Sequence, residues 1–87
     1  MISIEDCIGL SGLTLDEIEA IAEHEHVPEC VATALGAYLV HKVHGNEIIR
    51  DMIRDDIRVA LANQDRQHAA DLLATLRTFL ATHPVTE

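Results

Sequence analysis

A chain of 87 residues makes a single domain, residues 1–87, and buries only roughly 60% of its unfolded surface, so its core is thin. Apolar residues supply 48% of the sequence, yet Tyr38 and Phe79 are its only aromatics, so the core must be Ile, Leu, Val and Ala, which suits packed helices. Fifteen acids against six bases give a formal charge of −9; this repels nucleic-acid phosphates and anionic lipid surfaces, and neither nucleic acid nor membrane is an expected partner.

The opening "MISIEDCIGL" has no basic stretch ahead of an apolar run, so no export signal is expected. No window reaches the roughly 18–20 apolar residues of a membrane span. A cytoplasmic setting follows, with Cys7 and Cys30 as reduced thiols. Their spacing matches no zinc signature, and both read as small hydrophobes.

Helix signals then recur to the end. Ser3 and Asp6 can cap a short first helix with Ile4, Cys7 and Ile8 on one side, and "LSGLT" interrupts it. Thr14 and Glu17 have the spacing of a capping box, with Leu13 and Ile18 placed as its hydrophobic staple. The second helix is predicted from Leu15 to about Glu25, with Leu15, Ile18, Ile21 and Ala22 inward. Pro28 disfavours helix at Val27 and suits the first position of a new one, so "HVPE" is a corner. The third helix, Pro28 to about Lys42, has Thr33 as its only polar side chain between Cys30 and Val40. A helix so apolar is expected to be central, buried in the fold or in an oligomer, with Ala32 and Gly36 allowing a close approach.

"HGN" ends it, with Gly45 for a left-handed cap and Asn46 to start the next helix. The fourth helix, Glu47 to about Asn63, turns Ile49, Met52, Ile53, Ile57, Ala60 and Leu61 inward. Glu47, Asp51 and Asp55 each precede an arginine by three residues, the pattern of a solvated face. Asp56, at the margin of the apolar stripe, is expected at an exposed edge or in a local ion pair. "NQDRQ" is the last turn, with Asp65 as N-cap. The fifth helix, Arg66 to about Thr82, carries the stripe Ala69, Leu72, Leu73, Leu76, Phe79 and Leu80, and Pro84 follows its end.

The chemically richest stretch is "AIAEHEHVPEC", Ala20 to Cys30. Residues two apart on a helix lie about 200° apart, so His24 and His26 point in opposite directions. Glu23 and His26 share a face, and Glu29 and Cys30 lie across the corner. The candidate metal ligands are therefore Glu23, His26, Glu29 and Cys30, a set suited to zinc or another transition ion. The competing reading is an ordinary polar corner, since histidine near a helix C-terminus is favoured by the dipole alone. His68, at the start of the fifth helix, can return to this corner. His41 and His44 lie about fifteen residues of helix, roughly 22 Å, away. The segment also fits a helix-turn-helix packing pattern, but its second helix offers Glu29, Cys30 and Thr33 where base-reading side chains are needed.

The stretch "IEDCIGLSGLTLDEIEAIAEHEHVPE", with "IRDMIRDDIRVAL" and "HAADLLATLRTFL" after it, resembles a group of short bacterial (proteobacterial) proteins of unknown function. The resemblance implies a small all-helical protein and carries no activity, cofactor or catalytic residue.

The expected fold is all-α: a compact bundle of about five helices, the first short and the third central, with orthogonal or up-down packing. The leading functional expectation is a non-catalytic interaction module that binds itself, as a homodimer, or another protein. A small metal-binding protein using the Glu23–Cys30 corner comes second. An enzyme or enzyme subunit using His26, Glu29 or Cys30 comes third, because no phosphate loop or nucleophile elbow accompanies them.

Overall fold

Four helices make up most of residues 11–85, the part of the chain that the computed structural model describes. They are α1 (Leu15–Glu25), α2 (Glu29–Val40), α3 (Gly45–Ala62) and α4 (Arg66–Thr82). The short first helix expected around Ile4, Cys7 and Ile8 lies outside the described residues, so α1 to α4 correspond to the second to fifth predicted helices. Among the described residues there is no strand, and no helix is long and apolar enough to cross a membrane.

The start of α1 is built as its sequence dictates. The Thr14 amide donates to Glu17 Oε1 at 2.8 Å, and the Glu17 amide donates to Thr14 Oγ1 at 3.2 Å. This reciprocal box satisfies two amides that a helix start otherwise leaves open. Leu13 and Ile18, the staple pair, are both buried. At the other end the chain leaves through His26 in the left-handed region (φ 56°, ψ 47°), and the Val27 amide donates to Ala22 O at 3.1 Å. That six-residue closure is the Schellman arrangement. Pro28 then stands just before α2 rather than inside it, with ψ 157°, and its carbonyl accepts from Val31 and Ala32.

Helices α3 and α4 form an antiparallel hairpin, the most extensive contact between helices in the fold. Its turn closes on Gln64 in the left-handed region (φ 60°), with the Asp65 amide donating to Ala60 O at 2.8 Å. Asp65 also caps α4, accepting from the His68 amide. At the open end Asn46 Nδ2 donates to Pro84 O, so the two termini of the hairpin stay together. Helix α1 runs opposite to α4: Thr14 and Thr78 line one end of their shared groove, and Glu23 and His68 the other. The core between these layers contains Ile18, Ile21, Ala32, Leu39, Ile49, Ile53, Leu72 and Phe79. The radius of gyration, 12.6 Å, is close to the ~12 Å of a compact chain of this length.

Several expectations are corrected by the packing. Helix α2 is not a central rod. It buries Ala32, Thr33, Gly36 and Leu39 and leaves Val31, Ala34 and Tyr38 exposed. Ala32 and Gly36 do permit a close approach, but to side chains of this same chain: a Cβ on Gly36 would stand 2.4 Å from Leu13 Cδ1 and 3.3 Å from Ile21 Cδ1. The cap assignments at "HGN" also shift. His44, not Gly45, adopts the left-handed conformation (φ 62°), and α3 starts at Gly45 itself. Gly45 is needed for space, because a Cβ there would lie 1.6 Å from the Leu39 carbonyl oxygen. Asn46 is consequently free to reach Pro84. Leu15, Leu61 and Leu73 are exposed rather than inward. Leu15 opens α1, Leu61 lies in the last turn of α3, and Leu73 is rotated about 100° from buried Leu72.

Candidate functional site

The fold takes the Ala20–Cys30 stretch apart. Glu23 is held by α4: its Oε1 lies 2.6 Å from His68 Nε2. His26 is exposed and serves as the left-handed residue that ends α1, a position where histidine is among the side chains better tolerated. Glu29 is half-buried at the start of α2, where its carbonyl accepts from the Thr33 hydroxyl at 2.7 Å. Cys30 is an exposed free thiol. Glu23, His26, Glu29 and Cys30 are thus not gathered into one ligand set, and among the described residues no group of three or more His, Cys, Asp or Glu side chains could hold a metal ion. The cause is the cap: closing α1 through His26 uses that residue's backbone to turn the chain and leaves its side chain in solvent, while Glu23 faces α4.

The expected return of His68 to this end of the molecule is observed. What gathers around it differs from the expected set. His24, which the helix spacing turned away from the corner, faces α3, with its Nε2 3.7 Å from Asp55 Oδ2 and its Nδ1 3.8 Å from Glu25 Oε1. Asp55 is also held by Arg58 at 3.1 Å. Behind these pairs lies Asp56, whose residue is only 8% exposed. Two polar atoms at this junction, His24 Nδ1 and Asp56 Oδ2, are buried without a hydrogen-bond partner. Burial pushes the Asp56 carboxyl up from its ordinary 3.8 to about 6, because the charged form loses its water. His24 pulls in the opposite direction, the negative charges of Glu23 and Asp55 add to the rise, and His68 again opposes it.

Asp56 therefore corrects the expectation of an exposed edge. A signal for it was present. Ile49, Ile53, Asp56 and Ala60 recur at spacings of four, three and four, the seam of an inward helical face, and all four are buried. His24 likewise follows buried Ala20 and Ile21 by four and three residues. The arginine ladder on α3 forms only in part. Arg58 meets Asp55, but Arg50 turns to its neighbour Asp51 at 3.0 Å, and Glu47 is met instead by His44 at 3.5 Å.

Beside the junction, a groove of about 480 Å³ runs between α1 and α4. Asp16, Glu19, Glu23 and Asp71 line it, with Ala20 and Leu72 on its floor. Among the described residues that line it, His68 is the only basic side chain.

Comparison with family models, curated proteins and solved structures finds no match to this chain.

Proposed function

We infer that this protein is a non-catalytic interaction module that docks a second copy of itself through the outer face of α2. One observation carries the reading. Helix α2 has no formally charged side chain from Cys30 to Val40, yet Val31, Ala34 and Tyr38, spaced along one face, remain exposed, Tyr38 at 61%. Thr33 is bonded inward to Glu29 O, and the Tyr38 ring on the outer face lies under the Lys42 ammonium, 5.6 Å from its centroid. Val43, just beyond the helix, is 78% exposed.

A second copy is the favoured occupant on electrostatic grounds. Each chain carries a formal charge of −9, so two copies repel wherever acids face each other. The outer face of α2 presents no acid, and a twofold pairing needs just such a self-complementary patch. Another protein with an apolar helix face is the alternative occupant. On the strength of the acidic charge neither nucleic acid nor membrane is proposed as a partner, and the setting proposed is the cytoplasm.

Sedimentation of untagged protein tests this. The mass is expected to approach twice 9.6 kDa as concentration rises, and Val31→Glu is expected to hold the chain at the single mass with its helix content unchanged. A native chain that stays monomeric at high micromolar concentration overturns self-docking.

A further inference from the structure

We propose that the junction of α1, α3 and α4 around Asp56 is a proton-operated clasp, which tightens the C-terminal end of α1 onto the α3–α4 hairpin as the medium turns mildly acidic.

Geometry carries the proposal. The Asp56 carboxyl is buried where three helices meet, and its Oδ2 has no donor. An ionised buried carboxylate without a donor is costly, whereas the protonated acid gains an O–H that can donate. The groups facing it are Glu23 and His24 from α1, His68 from α4 and Asp55 from its own helix. Three carboxylates and two imidazoles therefore share one small region. With the imidazoles neutral, the carboxylates repel one another across the helix contacts. With Asp56 protonated, one of those charges is gone.

Two histidines link the helices at the same place. His68 bridges α4 to Glu23 of α1 at 2.6 Å, and His24 bridges α1 to Asp55 of α3 at 3.7 Å. Each contact becomes a full ion pair only when its imidazole is protonated. Two imidazole–carboxylate contacts therefore tie α1 to both helices of the hairpin, beside the buried carboxyl of Asp56. The upward displacement of the Asp56 carboxyl to about 6 puts its proton uptake in the mildly acidic range. A native state that holds a proton which the unfolded chain has released gains stability as pH falls.

The general relief of a chain at −9 also favours acidification, and the experiment has to separate the two. Exposed charges are screened by salt, whereas buried ones are screened much less. The melting temperature of untagged protein is measured from pH 8 to pH 5 in 0.5 M sodium chloride. For the native chain a rise on the order of 10 °C is expected. Asp56→Asn is expected to melt higher than the native chain at pH 8 and to lose at least half of that rise. Asp71→Asn, an exposed acid outside the junction, is expected to keep it. A native profile that is flat or falling, or an Asp56→Asn profile parallel to it, overturns the clasp. Should Asp56→Asn fail to fold, the carbon resonance of the native Asp56 carboxyl is followed by NMR. A midpoint between about pH 5 and 7 supports the clasp, and one near the ordinary 3.8 overturns it.

Discussion

The outer face of α2 and the junction around Asp56 invert the usual relation between polarity and burial. Val31, Ala34 and Tyr38 are uncharged and stand in solvent, while Asp56 carries a carboxyl and is buried. Neither helix is unusual in its own turns. The difference arises from neighbours. Helix α2 has α1 and α3 on its inner side and nothing on its outer side among the described residues, whereas α3 is covered by all three other helices. A short chain has too few elements to cover every apolar face. One such face is left for a partner, and Asp56 is enclosed where α1, α3 and α4 meet.

The comparison breaks most sharply at Gly45, which lets α2 end against α3 with its outer face turned away. Gly45→Ala places a Cβ 1.6 Å from the Leu39 carbonyl oxygen, a backbone clash that no rotamer relieves. A loss of about 3 kcal/mol is expected in urea unfolding. A loss below about 1 kcal/mol would mean that the α2–α3 connection is not held as tightly as described.

Next in size is Asp56→Asn, expected to stabilise the protein by about 2 kcal/mol at pH 8 and to have little effect at pH 4. The folded carboxyl titrates near 6 and the unfolded one near 3.8. Its favourable contribution is therefore complete below about 3.8 and is lost as pH rises through about 6. Denaturant titrations at the two pH values measure both ends of that window. Destabilisation at pH 8 would put Asp56 in a hydrogen bond rather than in an uncompensated burial.

On α2 the two faces should respond oppositely. Gly36→Leu, on the inner face, must displace Leu13 and Ile21 and is expected to cost about 2 kcal/mol in thermal unfolding. Val31→Glu, on the outer face, is expected to change single-chain stability by no more than about 0.5 kcal/mol. Equal costs on both faces would show that the outer face is covered within the chain.

Two smaller effects bear on the corner. His26→Gly relieves a side chain in the left-handed region and is expected to stabilise by about 1 kcal/mol, read as a higher melting temperature. Zinc added to untagged native protein is expected to leave that temperature unchanged. A zinc-dependent rise that His26→Gly removes would restore the corner as a metal centre.

Much of the fold was legible because local rules decided it. Thr14 and Glu17 specify their box within one turn, Pro28 stops one helix and precedes the next, and Asp65 caps α4. The candidate site was legible only in fragments. The return of His68 follows from helix lengths and short turns, but the spacing that groups Glu23 with the corner does not reveal it as the partner of His68. The angle between His24 and His26 shows only that they diverge; the burial of Ala20 and Ile21, four and three residues before His24, shows which of the two faces the fold.

Taken alone, the amino-acid sequence determined the helices, most of their ends, the acidic surface and the absence of any aromatic-rich core. These depend on side chains within a few positions of one another, where spacing fixes geometry. Only the tertiary structure decided that α2 keeps an apolar face outward, that Gly45 serves space rather than a left-handed turn, and that Asp56 is enclosed among Glu23, His24, Asp55 and His68. Those outcomes depend on which helix lies across from which. The loss of water from a carboxylate, or the vacancy beside an apolar stripe, is set by neighbours distant in sequence.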